Sequence, residues 1–370
     1  MSVRWRNGMK SRALWSRVTL RALQLGALGL SSSALGWAVA CSAVPDNSQV
    51  PDDGATGDGV SDAGPGPTIG TTTMASTVCQ ADGQAGAECY VVTVSCAGVA
   101  DADVIVKYRP GDGDTSDATG GAGTIIFMTG GGGTEYYEDS FTYGPNLIED
   151  LIGAGFATVQ VKWDISWITG PGGFERLACR PATITQWIYD ELHGGGDAEP
   201  FCATGNSGGS AQIAYALTRY GLAAVYDTVV PSSGPPSGRV DLGCGDCNPD
   251  LDVVDVPCAN DSLCYLPGRI NTIDGAYAGS PCRDGEFEVL MADSVVTDGA
   301  DLHYPSTKVI AVFGELDGTN AVAQGMQWYD AITSEVEIIC APDTTHSVAS
   351  AVPGYEILRD ELIAECKLRP

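Results

Sequence analysis

The chain has 370 residues, 44% of them apolar and 18% charged, and its 47 Asp and Glu outnumber 19 Lys and Arg for a formal net charge of −28 at pH 7. Length and apolar content of this order support one large buried core. The negative charge argues against nucleic acid and strongly anionic polymers as partners.

The first segment is the exception to the acidic balance. Arg4, Arg6, Lys10, Arg12, Arg17 and Arg21 precede an apolar stretch running to Ala40, with no acid among them. This layout predicts an export signal over residues 1–40. The small residues before Cys41 resemble a bacterial lipoprotein cleavage box, with Ala38 where leucine is usual, so Cys41 is expected to carry a lipid anchor. Ordinary signal-peptidase cleavage nearby is the alternative. No other segment is long and apolar enough to span a bilayer. Residues 41–75, rich in Gly, Pro and Asp, read as a flexible acidic linker, and 76–370 as the folded domain. The chain has 13 cysteines; setting Cys41 aside leaves an even number, which in an exported chain predicts disulfides of unreadable pairing.

Within the domain, Glu88–Cys96 and Asp103–Tyr108 read as leading strands. The loop Gly111–Asp117 is acidic but lacks the later glutamate of a calcium loop, so it reads as a hairpin connection. Gly123–Met128 is a strong strand that runs into Thr129-Gly130-Gly131-Gly132-Gly133, where the backbone N–H groups are free to approach an anion closely. Tyr136, Tyr137, Trp163 and Trp167 follow strand ends and are read first as packing residues, with binding of an acyl chain, aromatic acid or sugar ring as the alternative. His193 precedes three glycines at a helix end and reads as a cation near a helix C-terminus.

Pro200–Thr204 is a short apolar strand, and it leads into Gly205-Asn206-Ser207-Gly208-Gly209. Apolar Ile213, Ala214, Ala216 and Leu217 then recur at helical spacing up to Gly221, a natural stop. A serine at such a strand-to-helix turn has a strained backbone and small neighbours, and the helix N-terminus presents free N–H groups. The Asn-Ser-Gly-Gly string also resembles chymotrypsin-like proteases, but their histidine context is missing upstream and their serine is followed by a strand.

Further on, Ala224–Val230 reads as a strand. The segment of about 232–304, which holds five cysteines, interrupts the alternation. Cys244-Gly-Asp-Cys247 within it resembles half a zinc site, with no matching histidine pair or second such motif, so no metal is expected. Lys308–Gly314 is a buried strand followed by Glu315-Leu316-Asp317-Gly318. Val336–Cys340 is the last strand, and the loop after it carries His346 before a final helix of about Tyr355–Cys366. His303 lies in a surface turn. A serine hydroxyl needs a base, and His346 is the best placed; Asp317 is the best placed acid to orient it, with Glu315 and Asp343 as alternatives.

The order strand–glycine run, G-x-S-x-G elbow, acid, histidine resembles the α/β-hydrolase superfamily of esterases and lipases, from about residue 90 onward. The resemblance implies an α/β fold with a mostly parallel doubly wound sheet and a cysteine-rich cap inserted at about 232–304. It implies Ser207 as nucleophile, His346 as base, Asp317 as orienter, and Gly208 with Gly131 or Gly132 as oxyanion donors. The glycine run looks like the family's His-Gly-Gly-Gly motif with Thr129 in place of histidine. The implied activity is cleavage of a small or polymeric carboxylic ester through an acyl-enzyme, without cofactor or metal. Contact with a membrane is expected only through the N-terminal lipid. A serine peptidase and a non-catalytic binding lipoprotein are the competing readings, and oligomeric state stays open.

Overall fold

Apolar strands that alternate between two covered faces build the centre of the molecule. The computed structural model describes residues 2–4, 67–77, 79, 86–112, 122–196, 198–244, 253–255, 258, 260–262 and 267–368. The chain divides into two units, Met1–Arg6 with Ala63–Pro370 and Asn7–Asp62, and the second lies outside the described residues. The strands are β1 (Ser2–Arg4), β2 (Thr71–Thr77), β3 (Glu88–Ser95), β4 (Ala102–Arg109), β5 (Thr124–Met128), β6 (Ala157–Trp163), β7 (Phe201–Asn206), β8 (Thr228–Ser232), β9 (Val253–Asp255), β10 (Asn260–Ser262), β11 (Lys308–Gly314) and β12 (Val336–Ala341). Ten of them form one sheet in the order β1-β12-β11-β8-β7-β5-β6-β4-β3-β2, and β9 and β10 form a separate hairpin. From β1 to β6 across this sheet every neighbour is parallel; β4, β3 and β2 add an antiparallel margin.

Both faces of the parallel region are apolar, as its strands' near-continuous hydrophobic runs require. In β5, Ile126 and Met128 join the core on one side, while Ile125 and Phe127 join that on the other. In β11, Val309, Ala311 and Phe313 alternate in the same way with Ile310 and Val312. Helices α1 (Gly144–Gly153) and α5 (Val352–Glu365) cover one face with Leu147, Leu151, Leu358 and Leu362. Helices α2 (Cys179–Ile188), α3 (Gly208–Tyr220) and α4 (Ala321–Ala331) cover the other with Ile184, Ile213, Leu217 and Trp328.

Three expectations shift at the margins. The linker boundary at residue 75 gives way, because Thr71–Thr77 pairs antiparallel with β3 along its whole length. An edge strand needs β-branched residues more than apolar ones, so its polar Thr/Ser composition carries no apolar signal that separates it from linker. At the opposite edge, the backbone of Ser2–Arg4 lies parallel to β12, although residues 1–40 read as a removable signal. The unpaired groups of an edge accept any extended segment. The strand expected from Ala224 begins only at Thr228, after a short 3₁₀ turn over Leu222–Ala224. The predicted signal's apolar stretch, Cys41, most of the linker and most of the Gly111–Asp117 loop lie outside the described residues. Among the described residues, no helix is long and apolar enough to cross a membrane.

Five disulfides join described cysteines: Cys79–Cys89, Cys96–Cys179, Cys202–Cys366, Cys244–Cys282 and Cys258–Cys340. Cys244 is therefore no thiolate ligand for a metal; Cys247 and Cys264 lie outside the described residues. The Cys202–Cys366 bond ties β7 to the residue after α5 across 164 positions of sequence. Replacing both cysteines by alanine is expected to lower the unfolding free energy by about 3–5 kcal/mol, because so long a loop loses much entropy on closure. Urea titration measures this; a loss under about 1 kcal/mol would contradict the expected size.

Candidate active site

Ser207 occupies the single residue between the end of β7 and the start of α3, at φ 55° and ψ −112°. A non-glycine residue there is strained by roughly 1–3 kcal/mol and persists only where its surroundings hold it. Its N–H donates to Ser232 O at 2.9 Å, and its carbonyl accepts from the Ala211 N–H at 3.1 Å. The flanking glycines permit the tight turn: a Cβ on Gly205 would lie 2.6 Å from the Gly209 carbonyl carbon.

Asp317 follows β11 and is 2% exposed. His346 sits in the loop after β12, and its Nδ1 donates to Asp317 Oδ2 at 3.0 Å. Thr319 joins this pair. Its N–H and hydroxyl donate to Asp317 Oδ1 at 3.0 and 2.8 Å, and its Oγ1 lies 3.0 Å from His346 Nδ1. Burial pushes the Asp317 carboxyl up, but the hydrogen bond and charge of His346 and the Thr319 hydroxyl outweigh it and hold the group below its ordinary value. Asp317 thus stays ionised at neutral pH, and with the Nδ1 proton of His346 directed to Asp317, Nε2 is the ring nitrogen left for the cavity that His346 lines. The alternative acids serve elsewhere: Glu315 and Asp343 are exposed, and Glu315 Oε2 accepts the Asp343 N–H at 3.3 Å.

The loop carrying His346 is fixed to the elbow by a residue that sequence reasoning passed over. Asn206 Oδ1 accepts the Val348 N–H at 3.2 Å and the Ser232 hydroxyl at 3.1 Å. Asn206 is 2% exposed, and it precedes Ser207 while its partner lies two residues beyond His346. No local signal marks this role; Thr319 was likewise not singled out, although Asp-Gly-Thr is a sequence suited to a side-chain-capped turn.

The glycine run reaches the same place. A Cβ on Gly208 would lie 2.1 Å from Gly131 O and 2.8 Å from Gly131 N, so the two backbones touch. The carbonyls of Gly130, Gly132 and Gly133 accept from Gly133, Trp167 and Trp163. The N–H groups of Gly131 and Gly132 have no acceptor among the described residues. Thr129, which precedes the glycine run, closes the loop by donating its hydroxyl to Glu135 O at 2.9 Å. Ser207, His346, Gly131, Gly132 and Gly208 all border one cavity of about 270 Å³.

Of the four aromatic residues singled out in sequence, only Trp167 lines this cavity. Tyr137 packs on Phe127 and Phe141, Trp163 donates its indole N–H to Gln212 at 3.0 Å, and Tyr136 lies beneath Lys107 and Lys162. His193 does lie in the last turn of a helical segment, but burial disfavours its cationic form. It stacks on Tyr189, with Nδ1 3.0 Å from Thr124 Oγ1, and burial lowers its pKa. His303 lies 3.0 Å from Thr333 Oγ1 in an exposed contact away from the site.

No protein-family model matches the chain, and no curated protein matches it. Solved structures do. The acetyl xylan esterase from Paenibacillus sp. R4 aligns with a TM-score of 0.52 at 11% identity, over 80% of this chain and 89% of its own. A bacterial brefeldin A esterase, described as a homologue of human hormone sensitive lipase, aligns with a TM-score of 0.51 at 17% identity, over 78% of each chain. The chain has the α/β-hydrolase fold. In this α/β-hydrolase sheet, the loops at the carboxyl ends of β5, β7, β11 and β12 supply Gly131, Ser207, Asp317 and His346, the side on which open α/β sheets bind ligands.

Proposed function

We propose that the protein is a serine hydrolase that cleaves carboxylic esters through an acyl-enzyme. The observation that carries this reading is the buried Asp317 bonded to His346, whose ring borders the same cavity as the strained Ser207. Ser207 Oγ attacks the ester carbonyl while His346 Nε2 takes its proton. The carbonyl oxygen becomes an oxyanion held by the N–H groups of Gly208 and Gly131 or Gly132. Collapse expels the alcohol, which takes the proton from His346, and leaves an acyl-Ser207. Water, deprotonated by His346, then attacks the acyl carbonyl, and Ser207 regains its proton as the acid departs. Asp317 keeps the imidazole in its Nδ1–H tautomer and stabilises the imidazolium.

Residues 232–304 act as a cap in this proposal, since Pro236, Ser237, Thr272 and Ile273 form part of the cavity wall. The Cys258–Cys340 bond holds the cap to the strand that carries the His346 loop. Export through residues 1–40, with lipidation at Cys41, completes the reading; the disulfides suit an oxidising compartment.

Reaction with a fluorophosphonate probe followed by peptide mapping tests the mechanism. The adduct is expected on Ser207, with turnover of p-nitrophenyl acetate but not of a peptide panel. An unlabelled Ser207 would favour the binding-module reading, and faster peptide cleavage the peptidase.

Asn206 gives a second expectation. Asn206→Leu removes the acceptor that fixes the His346 loop and is expected to lower kcat roughly tenfold, the order of one lost hydrogen bond. KM should change little, because Asn206 does not line the cavity. Steady-state kinetics on p-nitrophenyl acetate decide the point; a rise in KM at constant kcat would contradict the positioning role.

A further inference from the structure

Ser166 lies in the loop after β6, and its hydroxyl is a polar group of the cavity wall that the proposed reaction does not use. The backbone around it is fixed from both sides. The Trp163 N–H donates to Gly133 O at 2.8 Å, and the Trp167 N–H to Gly132 O at 3.0 Å. From behind, the buried Arg180 guanidinium donates to Trp167 O at 2.9 Å and to Thr169 O at 2.8 Å. The Ser166 side chain itself fills the space that Gly132 leaves open: a Cβ on Gly132 would lie 2.1 Å from Ser166 Oγ. The hydroxyl is therefore seated against the glycine loop at a defined place.

Ser166 Oγ has no protein partner among the described residues, and the residue is partly exposed where it borders the cavity. The neighbouring hydroxyls differ. Thr319 Oγ1 is engaged with Asp317 and His346. Ser237 Oγ is sealed from solvent, and Thr272 is itself exposed. The cavity's apolar lining is Trp167, Ile168, Phe174, Ala211 and Ile273, beside the polar Ser237, Thr319 and Asn320. A purely alkyl ester filling such a cavity would strip water from the hydroxyl and offer nothing in return. An ether, hydroxyl or carbonyl oxygen on the substrate would accept its hydrogen bond.

We infer that Ser166 is a specificity-determining residue that recognises an oxygen acceptor on the substrate, within a few bonds of the scissile carbonyl. The substrate class is a small oxygenated ester rather than a plain alkyl ester. This inference rests on the esterase reading above. The oxygen sits either in the acyl group or in the alcohol, and matched pairs of esters separate the two sources. For the acyl side the pair is p-nitrophenyl butyrate and p-nitrophenyl methoxyacetate. For the alcohol side it is butyl acetate and 2-methoxyethyl acetate. Each pair exchanges one methylene for one oxygen.

The measurement is kcat/KM for both members of each pair, with wild type and Ser166→Ala. Intrinsic differences in ester reactivity cancel in the ratio of the two enzymes' preferences. On one of the two sides, the variant is expected to lose about tenfold more rate with the oxygenated member than with its alkyl match. Ser166→Cys, which keeps the volume but donates weakly, is expected to lose most of the same preference and guards against an alanine variant that misfolds. Equal losses within both pairs, or no loss in either, would overturn the inference while leaving the esterase reading intact. Failure of the wild type to hydrolyse any of the four esters would instead remove both.

Discussion

Ser207→Ala is expected to lower kcat on p-nitrophenyl acetate by about ten-thousandfold to a millionfold, with KM nearly unchanged. The reason is chemical rather than steric. Alanine keeps the same Cβ on the same strained backbone, so the turn, its hydrogen bond to Ser232 and the start of α3 are preserved. What disappears is the oxygen that, in the proposed mechanism, forms the acyl-enzyme. The substrate would still meet the free N–H groups of the glycine loop, so a residual rate above water should survive. Thermal unfolding should move little, because the side chain contributes one hydroxyl and no ion pair. A variant that retains more than about one hundredth of the activity would sink the covalent mechanism, and the same protein should no longer react with a fluorophosphonate.

The second large effect is expected at Gly208. An alanine there places its Cβ 2.1 Å from Gly131 O, and a backbone oxygen cannot rotate away as a side chain would. Either α3 or the glycine loop must move, and the loop yields first because it is surface-exposed at Gly131. The N–H of Gly131 then leaves the position proposed for binding the oxyanion. Loss of one such donor typically costs a hundredfold to a thousandfold in kcat. The expected result for Gly208→Ala is therefore a kcat lower by about that factor, with Ser207 still present. Gly131→Ala supplies the contrast. Its Cβ meets nothing within 4 Å, but its φ of +58° disfavours a side chain. It should cost about 1–2 kcal/mol of stability and less rate than Gly208→Ala. Kinetics and thermal melts of the two variants decide it; a Gly208→Ala enzyme with wild-type kcat would show that the glycine loop does not hold the oxyanion.

How far the site could be read in advance depended on distance along the chain. The elbow was legible because strand, serine and helix are neighbours in sequence, and its small residues answer a local steric demand. Asp317 and His346 were legible because each follows a strand with strong apolar character; Thr319 was not singled out, although it lies two residues from Asp317. Asn206 and Ser166 left no such mark. Asn206 meets Val348 across 142 positions, and Ser166 meets a glycine loop on a different strand. The edge strand Thr71–Thr77 was hidden for another reason: its pairing is backbone pairing, and its side chains carry little of the apolar pattern by which strands are recognised.

By itself, the sequence determined the alternation of buried strands and helices, the place of the strained serine, and the order of the acid and the histidine after it. These follow from local periodicity and from turn geometry, which act over a few residues. Only the tertiary structure decided which described cysteines pair, that Glu315 takes the Asp343 N–H rather than His346, that Gly131 touches Gly208, and that the Ser166 hydroxyl sits against Gly132 on the cavity wall. Each of these is a contact between segments distant in sequence, set by how the sheet brings the ends of its strands together, and neither composition nor period records it.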